Sequence, residues 1–247
     1  MSVPRSGTLH LVASPNGGVW VQAASDGALS ATICTAAGAE TRSAAAAMLD
    51  QLRIVNEGGE LRVRGPLGDW SSYLIVSAPN GVSIDMEADN GGLDLRGVSG
   101  TFTMRNQGGP IAIAHVGGKV TAHSAGGPIS FVGHEGDIDL EALGGPVSVN
   151  LNNPRWIGRG LSANTRGGPI SVFTPDRLET GVQVASSQGS PWSWEGRGNI
   201  DASDGWAGDR SVVIGKGPVL VRVSTGGGPV SIKSRARPVS VGGKSRI

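Results

Sequence analysis

A nine-residue repeat in the middle of the chain constrains its fold more than any other feature. Residues 108–152 form five consecutive blocks: GGPIAIAHV, GGKVTAHSA, GGPISFVGH, EGDIDLEAL and GGPVSVNLN. Each block has glycine in its second position and then alternates apolar residues with small or polar ones. This alternation does not match one face of a helix, but it suits short strands joined by tight corners. The blocks therefore predict a stack of strands.

The spacing of apolar residues indicates how these strands are arranged. Apolar residues recur at steps of nine at Leu93, Phe102, Ile111, Val120, Ile129, Ile138 and Val147. A Gly-Gly-Pro corner recurs every eighteen residues, at Pro110, Pro128 and Pro146. Proline is tolerated at the first residue of a strand because its missing N–H falls at the corner. We therefore predict an all-β fold, a parallel β-solenoid (β-helix) with two-strand coils of about 18 residues.

The segments on either side of the repeat are predicted to complete a single β-solenoid domain over residues 1–247. Residues 1–55 form an N-terminal cap region, in which apolar pairs predict three strands and an alanine-rich stretch predicts one short helix at about residues 42–50. Residues 174–211 weaken the pattern and are predicted to be an irregular insertion. The step of nine also relates Tyr73 and Ile75 to later apolar residues, which predicts that both point inward.

The outward positions of the Gly-Gly-Pro strands are nearly all small. They are predicted to be Ser83, Asp94, Ala112, Ser130, Ser148, Ser171 and Ser231, whereas the other sheet carries Thr, Lys, Asp and Glu. A flat surface of serine and alanine lets another backbone approach closely. We therefore expect Ala112, Ser130, Ser148 and Ser171 to contact the N-terminal segment or a second subunit, although serine is also an ordinary outward strand residue.

Charge and cysteine content exclude several classes of function. The 21 basic and 20 acidic residues leave a formal charge of +1, which disfavours a nucleic-acid partner. No apolar run reaches the roughly 20 residues of a transmembrane helix, so direct membrane insertion is not expected. The single cysteine, Cys34, excludes an intrachain disulfide. If Met1 is the native start the protein is expected to be cytoplasmic, and if an export signal has been removed it is expected in the cell envelope or outside the cell.

Motifs for catalysis, metal binding or cofactor binding do not emerge from the sequence. The repeat lacks the aspartates of calcium-binding nonapeptide rolls. His115, His123 and His134 fall at different phases of the repeat, so a shared metal site is not expected, and His123 instead predicts a surface ladder with Arg105 and Glu141. We therefore expect no metal and no cofactor.

Tryptophans beside carboxylates in residues 174–211 leave two interpretations open. Trp192, Trp194 and Trp206 could stack against a sugar ring, since this segment also carries several Asp and Glu residues. Alternatively, they cap an end of the solenoid that would otherwise expose core and a pairing edge. The second interpretation is favoured, and a glycan is kept as a possible partner.

The layout resembles the putative-adhesin family of uncharacterised bacterial proteins, the group that includes the head GIN domain. The similar features are NGGVWVQ at Asn16, LRIVNEGGELRVRG after the alanine-rich segment, SAPNGVSIDMEADNGGLDL, and VLVRVSTGGGPVSIKS near the end. The resemblance implies a parallel β-solenoid, often attached to the cell envelope, with no catalytic residues. We therefore expect a non-enzymatic structural or adhesin-like module that contacts a protein partner or its own copies, or acts as a peripheral subunit. The alternative is a carbohydrate-binding or polysaccharide-active solenoid that uses residues 174–211.

Overall fold

The protein is described here as a computed structural model covering residues 7–14, 17–57, 59–187, 190–195 and 210–235. This part of the chain is mostly β-structure, with one helix. In chain order the elements are β1 (Thr8–Val12), β2 (Gly18–Ala23), β3 (Ser30–Gly38), α1 (Arg42–Leu49), β4 (Arg53–Glu57), β5 (Glu60–Arg64), β6 (Asp69–Ala78), β7 (Val82–Ala88), β8 (Leu93–Arg96), β9 (Ser99–Asn106), β10 (Ile111–Ala114), β11 (Gly117–Ser124), β12 (Ile129–Gly133), β13 (Glu135–Ala142), β14 (Val147–Leu151), β15 (Ile157–Thr165), β16 (Ile170–Pro175), β17 (Gly181–Ser186), β18 (Trp192–Glu195), β19 (Arg210–Ile214), β20 (Val219–Thr225) and β21 (Val230–Arg235).

These strands form two sheets whose pairing is mainly parallel. Sheet I has, within the described residues, eleven strands in the order β19-β17-β20-β15-β13-β11-β9-β7-β1-β5-β4. Sheet II has ten in the order β18-β21-β16-β14-β12-β10-β8-β2-β6-β3. From β7 to β16, consecutive strands alternate between the two sheets, so that one sheet I strand and the next sheet II strand form a coil. The predicted two-strand unit is confirmed by this alternation.

The register follows the predicted spacing of eighteen residues. Ile111 lies opposite Ile129, and Ile129 lies opposite Val147, in parallel sheet II strands. Val120 and Ile138 are paired in the same way in sheet I. Side chains from both sheets form one hydrophobic cluster, which includes all of these residues. Burying each such side chain contributes about 1.5–3 kcal/mol relative to leaving it exposed.

Each corner between coils depends on a close approach of backbones. A Cβ added to the second glycine of a corner, such as Gly127, Gly145 or Gly168, would collide with the carbonyl oxygen of the equivalent glycine one coil away. Buried hydroxyls complete the corner, because Ser124 Oγ donates to the Gly127 carbonyl at 2.8 Å and Thr165 Oγ1 donates to the Gly145 carbonyl at 3.1 Å. These bonds offset the cost of burying a polar group.

The N-terminal coil does not lie at the end of the stack. β1 pairs in parallel with both β5 and β7, and β2 pairs in parallel with both β6 and β8. In sheet I, β1 therefore separates β5 from β7, and in sheet II, β2 separates β6 from β8. The first two strands fill a gap that the chain leaves when it passes from β6 to β7. Leu11 and Val21 are fully buried there. β1 and β2 are thus part of the core and do not pack on the outer serine positions, whereas contact of those positions with a second subunit stays a prediction.

The C-terminal strands repeat this arrangement at the other end. β20 lies between β15 and β17, and β21 lies between β16 and β18. Residues 174–211, expected to be irregular, therefore supply β17 and β18, which form the coil beyond the intercalated one. The periodicity weakens there because consecutive strands are no longer neighbours in the sheets: β17 does not pair with β15, and β20 later pairs with both.

Antiparallel strands form three of the four sheet edges in the described part of the chain, and the fourth edge strand, β18, pairs in parallel with β21. β3 pairs antiparallel with β6, β4 with β5, and β19 with β17. The predicted helix is confirmed as α1, and Thr41 Oγ1 caps it by accepting a hydrogen bond from Ala44 N at 3.2 Å. In the β4–β5 hairpin, the hydrogen bond from Arg64 lowers the pKa of the exposed Glu57 carboxyl.

Two neighbouring glycines provide a test of the corner packing. Gly168→Ala should lower the free energy of unfolding by about 1–3 kcal/mol, because the new methyl group overlaps the Gly145 carbonyl. Gly167→Ala should change it by less than about 0.5 kcal/mol, since a Cβ there has nothing within 4 Å. Urea unfolding followed by circular dichroism measures both. Equal effects of the two substitutions would contradict the packing.

The position of the N-terminal coil leads to a second test. Leu11→Ala should lower the free energy of unfolding by about 2–5 kcal/mol, because Leu11 is fully buried between two neighbouring strands. Leu67→Ala, at a fully exposed leucine, is the matched control and should be nearly neutral. If chemical unfolding found Leu11→Ala as mild as Leu67→Ala, β1 would not be an internal strand.

Candidate interaction surfaces

A continuous row of residues crosses the outer side of sheet II. The pairing registers place ten residues side by side in the order Thr32, Ile75, Trp20, Asp94, Ala112, Ser130, Ser148, Ser171, Ser231 and Ser193. We call this row and the outward residues beside it the outer face of sheet II. The four predicted interface positions, Ala112, Ser130, Ser148 and Ser171, are adjacent in it. Ser83 is not, because β7 belongs to sheet I.

The outer face of sheet II carries little charge. Asp94 is the one ionisable residue in the ten-position row, and both of its carboxylate oxygens accept hydrogen bonds from Arg96 at 2.6 Å. This contact raises the pKa of Arg96, and the opposite formal charges of the two side chains cancel within the pair. The exposed Ser130 and the half-buried Ala112, Ser148 and Ser171 add no charge.

Two large aromatic side chains lie on this face near its N-terminal end. Trp20 is 38% exposed and Tyr73 is 48% exposed. The Tyr73 ring lies over Gly18, where an added Cβ would be 2.6 Å from its Cε1 atom. Tyr73 and Ile75 were predicted to point inward, and this is wrong, because β6 buries Leu74 and Val76 instead. A shift of one residue along a strand moves every side chain to the other side of the sheet.

The outer side of sheet I is charged and ion-paired. His10 Nδ1 lies 3.3 Å from an Asp85 carboxylate oxygen, and Arg159 lies 3.5 Å from Asp137. Thr103 and Thr121 lie between these pairs along the sheet. This side therefore resembles an ordinary solvated sheet surface, as its sequence predicts.

A groove of about 590 Å³ runs along one corner of sheet I, at the C-terminal ends of its strands. Four of its lining residues, Glu87, Arg105, His123 and Glu141, are neighbours on successive strands. The Arg105–Glu87 distance is 3.5 Å and the His123–Glu141 distance is 3.2 Å. The predicted ladder of His123 with Arg105 and Glu141 is confirmed. The groove itself was missed, because only the lateral packing of coils creates it.

The other two histidines of the predicted trio, His115 and His134, lie at a different corner. Asn152 bridges them, with its Oδ1 atom 2.8 Å from His134 Nδ1 and its Nδ2 atom 3.3 Å from His115 Nδ1. His123 is in β11 and does not join them. Across the described ranges, no three His, Cys, Asp or Glu side chains converge to hold a metal ion. In the same part of the chain, no helix has the length and apolar character needed to span a membrane.

The predicted tryptophan site is only partly covered by the structure. Trp192 and Trp194 belong to β18, the edge strand of sheet II, and Trp206 lies outside the described residues. The Trp192 ring is half-buried and packs against the hydrophobic core. Its Nε1 atom donates a hydrogen bond to Ser186 Oγ at 2.7 Å, so its polar end is already bound within the protein.

Similar solved structures include two proteins named for adhesion. A putative adhesin from Bacteroides fragilis NCTC 9343 is 11% identical, with 94% of each chain covered and a TM-score of 0.38. A putative cell adhesion protein from Clostridium sporogenes ATCC 15579 is 12% identical, with 92% of each chain covered and a TM-score of 0.30. A scan of protein-family models and a search of curated proteins find no significant match. At these TM-scores the two structures support no argument about activity or partners.

The two tryptophans in different settings can be compared directly. Trp192→Ala should lower the free energy of unfolding by about 2 kcal/mol, because it removes core packing and the bond to Ser186. Trp20→Ala should cost less than about 1 kcal/mol, since its ring lies on the outer face. Thermal and urea unfolding measure both changes. A neutral Trp192→Ala would show that this ring does not support the end of the stack.

Proposed function

We propose that the protein is a non-enzymatic, adhesin-like structural module, built as a parallel β-solenoid, that binds other proteins through the outer face of sheet II. The alternation of strands between two parallel sheets supports the solenoid description. The resemblance of the glycine-rich motifs to the putative-adhesin family supports the adhesin-like role. The observation that carries the proposal is the ten-position row with a single, neutralised charge.

Desolvation favours the outer face of sheet II over that of sheet I. Removing water from serine and alanine costs little, whereas removing it from ion pairs such as Arg159–Asp137 costs much more before any contact offsets it. Interface centres are depleted of charge and enriched in Tyr and Trp. Trp20 and Tyr73 therefore supply the large anchors that small residues cannot.

The size of this face fits a protein partner. Strands in a sheet lie about 4.8 Å apart, so ten of them span about 45 Å, and four or five residues of each strand span about 15 Å. The product, about 700 Å², is close to the roughly 800 Å² that each partner buries in a stable complex. A small ligand would cover only a fraction of this surface.

The carboxylates of the corner groove support a non-enzymatic role. Glu87 and Glu141 each lie against a cationic or basic side chain, which favours a structural ion pair over an acid and base acting on a substrate. The groove still provides a second candidate function, carbohydrate binding, because its volume of about 590 Å³ suits a ligand of a few sugar rings. The contacts of Trp192 favour a capping role over sugar stacking in the 174–211 segment.

Site-specific photo-cross-linking tests the proposed surface. A photoreactive phenylalanine analogue at Ser148, in the cells that make the protein, should form discrete adducts with other proteins. The same analogue at Thr121 is the matched control and should form few, because Thr121 is an outward residue of sheet I. Ser130→Arg should reduce the adducts at Ser148, since it adds a charge to the neighbouring position.

The outcomes separate the candidate functions. Equal adducts from Ser148 and Thr121 would contradict the assignment to sheet II. Binding to a glycan array that is lost in Arg105→Ala, without protein adducts at Ser148, would favour the groove and carbohydrate binding.

A further inference from the structure

β3 forms the last strand of sheet II, and one of its edges is open. It pairs antiparallel with β6 through nine consecutive residue pairs, from Ser30–Ser77 to Gly38–Asp69, without a bulge. Within the described residues no strand pairs with its other edge. Helix α1 packs beside β3, and no backbone hydrogen bond of the described residues links the two. The free edge is therefore a row of backbone donors and acceptors.

Other terminal strands carry the features by which proteins protect sheet edges. β4, the edge strand of sheet I at the same end, begins with Arg53 and ends with Glu57. β18, at the opposite end of sheet II, has only four residues and bears Glu195, which pairs with Lys233 at 3.1 Å. Short length and charge both oppose pairing with another chain.

β3 has none of these features. Its sequence, SATICTAAG, contains no charged residue and no proline. Its side chains alternate between half-buried and exposed, so Ala31 and Ile33 pack toward the core while Thr32 and Cys34 point outward. A long, straight and uncharged edge is a template for strand addition.

We propose that β3 pairs antiparallel with β3 of a second copy about a twofold axis, joining two copies of sheet II into one continuous sheet. The proposal rests on the proposed protein-binding function, which it deepens by naming a second copy as one partner. The joined sheets would present two outer faces side by side. A dimer with two such faces binds a partner surface that repeats the same epitope more tightly than a monomer with one face does.

The strand is self-complementary in this arrangement. Its central residue is Cys34, so antiparallel pairing of the whole strand sets Cys34 opposite Cys34 of the second copy and Thr32 opposite Ala36. Every facing residue is uncharged, and all but Ile33 are small. The free edge of a nine-residue strand supplies about eight to ten hydrogen bonds in such a pair, which is typical of a whole interface.

The buried area predicts the strength of the dimer. A nine-residue strand is about 30 Å long, and its edge is about 10 Å thick, so it covers about 300 Å² per copy. That is less than the roughly 800 Å² of a stable interface. We therefore expect a dimer that forms with concentration in the micromolar range.

Substitutions at the axis test the proposal in the full chain. Sedimentation velocity of the wild type should show a monomer–dimer equilibrium. Cys34→Ser should leave it intact, whereas Cys34→Lys should weaken it at least about tenfold, because it sets two ammonium groups directly opposite each other. Circular dichroism checks that both variants are folded. A wild type that stays monomeric at high micromolar concentration, or a dimer that Cys34→Lys leaves unchanged, would overturn the proposal.

Oxidation tests the register independently. In an antiparallel pair, opposite Cα atoms lie about 4.5–5.5 Å apart, within the range of disulfides. Copper(II)-phenanthroline should therefore link two Cys34 thiols, each of which gives one proton and one electron to the oxidant as the S–S bond forms. In a Ser30→Cys/Cys34→Ser control the two thiols lie about 27 Å apart and should not link. Equal yields from both proteins would show random collision and exclude this register.

The two proposals fail separately. A wild type that forms protein adducts at Ser148 but stays monomeric in sedimentation would overturn the dimer alone. Ser130→Arg, which lies on the face and far from β3 in the strand order, should leave the dimer unchanged.

Discussion

The parallel stacking of coils is the constraint on which the rest of the structure depends. Successive strands of one sheet lie about 4.8 Å apart, so every residue is beside its equivalent in the next coil. Corners must then pass each other at backbone distance, which requires glycine at positions such as Gly127 and Gly168. Inward positions become ladders of Val, Ile, Leu and Phe, and outward positions become rows of side chains that contact their neighbours on adjacent strands. The two sheets can therefore differ in character although they share a core.

Both ends of the chain contribute an internal coil rather than a terminal one. β1 and β2 lie one coil inside the stack at one end, and β20 and β21 lie one coil inside at the other. The coils beyond them are closed by antiparallel strands, which do not continue the parallel ladder. Within the described residues, this arrangement pairs the first two and the last two strands on both sides and leaves strands from between them in the sequence at the edges. One of these, β3, lacks the charge that β4 carries and the charge and short length of β18.

The contrast between the two outer sides suggests where the protein works. Sheet I carries well-solvated ion pairs such as Arg159–Asp137 on its outer side, and four residues of its corner groove contact each other as the pairs Arg105–Glu87 and His123–Glu141. Sheet II offers a surface of mainly small residues with few charges, and Trp20 and Tyr73 lie near its β3 end. A partner on the outer face and a second copy at β3 would use adjacent parts of one sheet. Contact of either kind would rely on shape and backbone pairing more than on charge.

Much of the fold follows from the sequence alone, because its period is local. The step of nine predicts the strands from Leu93 to Val147, their pairing at eighteen residues, and the adjacency of Ala112, Ser130, Ser148 and Ser171, all of which the pairing register bears out. The helix α1 follows from alanine composition. The ladder of Arg105, His123 and Glu141 follows from the same period. In each case the information lies within two neighbouring coils.

Only the tertiary structure decided the order of the coils at the two ends. Periodicity records which residues point inward, but it does not record which coils are neighbours when the chain leaves a gap and fills it later. Trp20 therefore reaches the position beside Asp94 where Ser83 was expected, and Tyr73 emerges on the outer face because β6 buries the alternate residues. The open edge of β3 could not be predicted from periodicity either, because a strand is an edge only if no other strand pairs on its second side. Sequence by itself determined the repeating unit, and long-range packing determined where that unit stops and which surface it exposes.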